Sequence, residues 1–327
     1  MRVPRNVQIS KNRAQCFHVI SRVVDRRIIM EDNENEYLLR LIRKHEAFTG
    51  LEVLSYCLMG NHFHLLIHLP VKPDEISDEE VRRRMKNIYS KKKIAQMDIM
   101  IERHKNFGNI RYEKELYDQL RQRMYNLSSF VRDIKQKFSS WYNRKLDRKG
   151  TLWEERFKSV SIEGRENALM RTAAYIELNP IRAGMVRDPS EYRWSSYAEA
   201  IAGGKKARKG IMQLCAGRTG INEWQEALHR YRVYLYEVGG EQREGKKSFT
   251  PEEVMAERER KGVLSVKKAL KMKIRYFSEG LAIGSADYLK EYFEHRHQWL
   301  GKKRGKVAHS MSGTGIRDLH SFRNAGG

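Results

Sequence analysis

The stretch from 51 to 69, LEVLSYCLMGNHFHLLIHL, constrains the fold more than any other part of the chain. Two apolar runs are separated by Gly60-Asn61, a turn-forming pair, so 51–59 and 62–69 are expected to be the two strands of a hairpin. The returning strand carries His62 and His64 in apolar company. Burying an imidazole without a partner costs free energy, so the pair requires either hydrogen bonds or a function.

The flanking segments supply the rest of a sheet. Residues 16–24, CFHVISRVV, mix β-branched and aromatic residues and read as a strand. Behind an Asp/Asn-rich start, 32–48 places Tyr37, Leu38, Leu41 and Ile42 at helical spacing. A second amphipathic helix is expected over 125–146, where Leu127, Phe130, Val131, Ile134, Phe138 and Trp141 recur at steps of three and four. After Gly150, TLWEERFKSVSI reads as a loop entering a strand, and a helix follows from near Asn167 until Asn179-Pro180 closes it. The order strand, helix, hairpin, helix, strand, helix implies an α+β fold, an antiparallel sheet with helices packed on one side.

Two regions interrupt this pattern. Residues 72–123 are crowded with charge and read as an inserted helical, partly flexible excursion whose RRR and KKK runs form a solvated face or, less simply, a nucleic-acid contact. Beyond Gly203 the composition shifts: GGKKARKG reads as a basic linker, with helices over 222–239, 251–260, 265–278 and 286–299. The expected division is therefore a catalytic domain over 1–203 and a mainly helical, basic C-terminal extension over 204–327.

Lys and Arg number 64 against 41 Asp and Glu, a formal net charge of +23. Such a field attracts a polyanion, with nucleic acid as first candidate and an anionic membrane surface as second. No long uncharged apolar run is present and MRVPRNVQIS lacks the apolar core of an export signal, so no membrane insertion is expected. Cys16, Cys57 and Cys215 form no C-x-x-C pair, which excludes a zinc ribbon or disulfide framework and suits a reduced, cytoplasmic protein.

In a strand, His62 and His64 share a face roughly 7 Å apart, a spacing suited to joint ligation of one metal ion or, more simply, to a pair of satisfied core or surface histidines. His68 lies on the same face and suits a structural role. In RTAAYIELNP, Tyr175 and Asn179 are one helical turn apart with Arg171 a turn before, while Glu177 points elsewhere. A tyrosine becomes a nucleophile when a cation favours its phenolate; otherwise it is a core aromatic with its hydroxyl at the rim. Asn179 could complete a metal shell, and Arg171 could hold a phosphate. Arg156 and Lys158 share a face of an extended segment suited to phosphate contacts. Trp153 is either a stacking surface for an unpaired base or a packing residue, and Tyr142 and Tyr197 read as core.

Taken in order, MGNHFHLLI, GTLWEERFKS, YIELNPIRAGMV and YRWSSY resemble the REP-associated tyrosine transposases, within the class named for His-hydrophobic-His, or HUH, single-tyrosine transposases (IS200-like). The resemblance spans roughly 13–200; the charged insertion and the tail beyond about 205 lie outside the family's compact core. It implies a ferredoxin-like sheet with the histidines on a central strand and the tyrosine on a nearby helix. The metal pair then falls on His62 and His64, the nucleophile on Tyr175, and the polar residue one turn later on Asn179. It further implies a divalent metal, Mg²⁺ or Mn²⁺, and a mobile-element enzyme that cleaves and rejoins single-stranded or hairpin DNA through a 5′-phosphotyrosine. Such a protein works as a monomer or homodimer in a bacterial-type, nucleoid-associated setting. Imidazole ligands by themselves suit Zn²⁺ or Mn²⁺ better than Mg²⁺. Two other readings are a domesticated DNA- or RNA-binding protein without catalysis and a zinc-dependent hydrolase that uses the histidine pair.

Overall fold

The computed structural model describes residues 13–164, 166–219 and 223–263, together with the strands at 280–284, 309–310 and 320–323. The chain divides into two compact units, Met1–Val53 with Leu58–Gly164, and Leu54–Cys57 with Arg165–Gly327.

A sheet of β1 (Gln15–Arg22), β2 (Glu52–Leu58), β3 (His62–Leu69) and β4 (Lys158–Ile162) runs in the order β2-β3-β1-β4, and all of it but Leu54–Cys57 of β2 belongs to the first unit. Helix α1 (Asp32–Thr49) connects β1 to β2, and α5 (Leu127–Lys145) precedes β4. This βαββαβ order with an antiparallel central pair is the ferredoxin-like arrangement. The hairpin turn is closed by Met59 N–H donating to the His62 carbonyl at 2.8 Å. Helix α1 ends where Gly50 takes φ 78 and returns its N–H to Glu46, a left-handed cap that glycine adopts without steric cost.

Strand alternation divides the side chains cleanly. Phe17, Val19, Phe63, Leu65 and Ile67 are all buried on one face. Phe63 meets the Trp153 ring at 5.6 Å, and Trp153 meets Phe138 of α5 at 5.6 Å, so this is the helix-covered face. The register Arg22↔His62, Ile20↔His64, His18↔Leu66 and Ile20↔Lys158 puts Arg22, His18, His62, His64 and Lys158 together on the opposite face. The expected α+β sheet with helices on one side is what the chain forms.

The charged insertion is more ordered than its composition suggested. Helices α2 (Asp78–Met85), α3 (Lys91–Asn106) and α4 (Tyr112–Arg121) enclose a core of Val81, Met85, Tyr117, Leu120 and Met124 against Phe48 of α1. Each short helix contributes only one or two fully buried side chains, so no single window shows a stripe. Pooled, they bury enough apolar surface at roughly 1.5–3 kcal/mol per large side chain to fix the excursion as structure.

In the second unit, α6 (Glu166–Glu177) is followed by α7 (Asn179–Arg182), α8 (Ser196–Ile201), α9 (Lys205–Thr219), α10 (Trp224–Gly240) and α11 (Pro251–Glu259). Pro180 does not stop the chain's helical course: it stands in the first turn of α7, where its missing N–H costs nothing. The basic segment read as a linker is part of α9. Ala207, Ile211 and Leu214 are buried there, and a Cβ on Gly210 would lie 2.3 Å from the Leu54 carbonyl oxygen. Glycine is required at that position by close packing rather than by flexibility. Arg232 of α10 is buried and joins two buried carboxylates, Asp188 (2.7 Å) and Glu257 of α11 (2.6 Å).

Strands β5 (Gly280–Gly284), β6 (His309–Ser310) and β7 (His320–Arg323) form a small sheet in the order β5-β7-β6, an element absent from the helical reading of the extension. The helices expected over 265–278 and 286–299 lie outside the described residues. Among the described residues, no helix is long and apolar enough to cross a membrane. Cys16, Cys57 and Cys215 are free and buried, and burial pushes the Cys16 thiol up to about 11.

Candidate active site

Three histidines, not two, gather in the first unit on the sheet face opposite Phe63 and Trp153. His62 and His64 meet edge to face with ring centroids 5.0 Å apart. His18 of β1 stacks on His64 at 5.2 Å, with His18 Nε2 and His64 Nδ1 3.0 Å apart. Burial holds all three imidazoles neutral, His18 and His62 at about 4 and His64 at about 2, with Arg22 adding to the effect on His62 and His64.

Neutral imidazole is the form that ligates a metal. Asn61 decides the tautomer of His62. Its Nδ2 donates to the Arg26 carbonyl at 2.8 Å, which turns Oδ1 toward His62 Nδ1 at 2.6 Å. His62 therefore carries its proton on Nδ1 and a lone pair on Nε2. This is the usual way a supporting acceptor prepares a ligating imidazole. For His64, a proton on Nδ1 given to His18 would likewise leave the lone pair on Nε2. The pair thus fits the donor side of a divalent-ion site. Among the described residues no group of three or more His, Cys, Asp or Glu is placed so that all could hold one ion.

The tyrosine helix belongs to the second unit. Tyr175 on α6 is 39% exposed although Ala174 and Ile176 beside it are buried. Asn179, one turn later, donates Nδ2 to the Tyr175 carbonyl at 2.9 Å and to Ile176 at 3.3 Å. Its amide oxygen is the atom with ligating capacity. Arg171 is engaged by Glu241 at 2.7 Å, so a phosphate would have to compete with that exposed ion pair. The cation placed at the tyrosine is instead Arg243, whose guanidinium carbon lies 5.5 Å from the Tyr175 ring centre. Arg182 seats the loop that carries it by donating to the carbonyls of Val238 (2.9 Å), Glu241 (2.9 Å) and Lys247 (3.0 Å).

Glu177 anchors the same helix. It points inward, as its two-residue offset from Tyr175 implies, and accepts from Ser55 at 3.1 Å, from Tyr197 N–H at 3.0 Å and from the Ser196 hydroxyl. Burial pushes its carboxyl up to about 7.

Arg156 and Lys158 are both exposed, but they do not share a strand face as expected: Arg156 lies in a bend before β4, and Lys158 opens β4 on the histidine face. Trp153 is buried against Phe63 and Phe138, Lys135 lies over its ring at 5.3 Å, and its indole N–H is taken by the Lys135 carbonyl at 3.1 Å. Its surroundings correspond to the packing role and leave no ring face for a base. His68 pairs with Glu52 at 2.9 Å, and Tyr142 and Tyr197 are core. Sequence reasoning missed His18, Asn61 and Arg243. In sequence Asn61 is a turn residue, Arg243 stands in the loop between two helices, and His18 depends on a strand register that one chain segment does not reveal.

The comparisons with known proteins bear on the sheet. Residues 12–114 match the family described as Transposase IS200 like. That segment takes in β1, α1 and the hairpin with both histidines, and ends before Tyr175. No curated protein matches the chain. A solved structure described as "Structure of the REP associates tyrosine transposase bound to a REP hairpin" matches at 17% identity and a TM-score of 0.40, covering 62% of this chain and 87% of that one. The resemblance read from the ordered motifs is thus borne out over residues 12–114, which match the IS200-like transposase family.

Proposed function

We propose that the protein is a metal-dependent, transposase-type endonuclease and strand transferase acting on single-stranded or hairpin DNA. In this reading Tyr175 is the nucleophile, and His62, His64 and Asn179 hold the ion, Mg²⁺ or Mn²⁺. The supporting observation is the prepared state of the histidine pair: neutral imidazoles on one sheet face, one with its tautomer set by Asn61, inside the transposase-like segment. Residues 1–203 form the catalytic domain, with the C-terminal extension contributing Arg243.

When bound, the ion polarises the scissile phosphate. The chain's own groups carry the chemistry. Tyr175 Oη attacks phosphorus, the bond from phosphorus to O3′ breaks, and the proton lost by the phenol ends on the departing 3′-hydroxyl. The product is a 5′-phosphotyrosine link. Because the phosphoester is retained, a DNA 3′-hydroxyl can reverse the step and join strands. Arg243, 5.5 Å from the Tyr175 ring centre, places a positive charge beside the nucleophile, and the basic surface supplies affinity that weakens steeply with salt.

The test is a labelled single-stranded hairpin incubated with the protein and Mn²⁺, then denatured. A DNA–protein adduct is expected with the native chain and none with Tyr175→Phe. An adduct that persists in Tyr175→Phe overturns the nucleophile. Cleavage without any adduct favours a zinc-type hydrolase, and metal-indifferent hairpin binding without cleavage favours a non-catalytic binder.

A further inference from the structure

We propose that a cavity between α1, α5 and the inserted helices is a second DNA site, one that takes an unpaired nucleotide of a single strand. The proposal rests on the reading that the partner is DNA, and it adds a site distinct from the histidines and the tyrosine. The cavity measures about 630 Å³, within the usual range for small-ligand sites. It lies on the helix side of the sheet, whereas His62 and His64 point to the other face.

Its lining combines two chemistries. Tyr37 of α1 and Trp141 of α5 are half-buried and stack with ring centres 4.2 Å apart. Beside the pair, outside the lining, Arg40 lies 5.4 Å from the Tyr37 ring and Lys145, which is paired with Glu34, lies 5.4 Å from Trp141. Around them stand Arg123, Arg132, Lys137 and Arg144, with Asp133 as the lone carboxylate of the lining. Asp133 is already shared by Arg123 at 2.9 Å and Arg132 at 3.2 Å.

Lys137 shows the imbalance most directly. Its amine donates to the Ile88 carbonyl at 3.3 Å and lies 5.9 Å from the Tyr89 ring. Burial, and then the charge of Arg123, lower its proton affinity below that of an ordinary lysine, with only a smaller opposing pull from Asp133. Arg123 and Lys137 are the half-buried cations of the lining, and their like charge is unfavourable until an anion enters. A backbone phosphate answers the cations, and a base reaches a ring face of the Tyr37–Trp141 pair by displacing the Arg40 or Lys145 side chain. Basic grooves with aromatic platforms are the general form of single-strand recognition.

The probe is an oligothymidylate of about 12 nucleotides, a length matched to such sites. Binding is read by anisotropy across a salt series for the native chain, the double variant Lys137→Ala/Arg144→Ala, and Trp141→Leu. The double variant should bind about tenfold more weakly, with a salt slope shallower by about one unit. Trp141→Leu should lose about tenfold with the slope unchanged. All three positions are half-buried or exposed, and near-UV circular dichroism verifies the fold. Unchanged affinity and slope in both variants overturn this site. Tenfold tighter binding of oligouridylate overturns its assignment to DNA. Adduct formation by Tyr175 at saturating hairpin should survive in both variants, so failure of the catalytic reading appears in the native chain's adduct assay and not here.

Discussion

Replacing Glu177 by glutamine should remove a pH-dependent liability from the second unit. Glu177 is 1% exposed, and among the described residues its buried Oε2 has no hydrogen-bond partner, while Oε1 takes the serine hydroxyls and the Tyr197 N–H. Burial raises the carboxyl from 4.5 to about 7. The folded state therefore holds this proton more tightly than the unfolded chain. Its contribution to stability is present below about pH 4.5 and is lost as pH rises through 7. At 1.36 kcal/mol per tenfold in proton affinity, the loss is about 3 kcal/mol. The buried histidines act in the opposite direction. His18, His45 and His62 are held at about 4 against an ordinary 6.5, so their contribution is present above 6.5 and lost on acidification. The two effects overlap, so the raw pH curve of one protein does not separate them. The difference between native protein and E177Q does, because the histidines cancel. Urea denaturation of both proteins from about pH 4.5 to 8 should show E177Q gaining about 3 kcal/mol relative to the native chain as pH rises. The extra amide N–H₂ of glutamine costs about 1–3 kcal/mol if unpaired, but equally at every pH. A difference that stays constant across the range refutes the assignment.

Three further outcomes follow from the same geometry. Arg232→Leu leaves Asp188 and Glu257 buried and mutually repelling, and should lower stability by about 3–5 kcal/mol in thermal or urea melts. His18→Phe removes the partner that orients His64, and should weaken Mn²⁺ binding about tenfold by calorimetry, whereas His68→Ala on the rim should leave it unchanged. Arg243→Ala should slow adduct formation about tenfold, with Arg243→Lys recovering part of the rate because a cation near the phenol is retained.

Several features were readable before any coordinates. Apolar alternation in 62–69 and its Gly60-Asn61 turn define the hairpin, because side chains in a strand alternate faces whatever lies around them. The stripe from Leu127 to Phe138 defines α5 for the equivalent reason in a helix. The opposite directions of Tyr175 and Glu177 follow from 100° per residue alone. Where local pattern was diluted, reading failed. The inserted helices carry one or two core residues each, and GGKKARKG looked like a linker because its buried Ala207, Ile211 and Leu214 are hidden among lysines.

By itself, the sequence determined which residues share a face of one element: His62 with His64, and Tyr175 with Asn179. Tertiary structure decided what each face meets. The register Ile20↔His64 brings His18 to His64, the Asn61–Arg26 contact sets the proton on His62, the seating of the loop by Arg182 lays Arg243 over Tyr175, and the core closes over Trp153. Contacts within one element depend on its period. Contacts between elements depend on register and packing, which form only when distant segments of the chain are buried against one another.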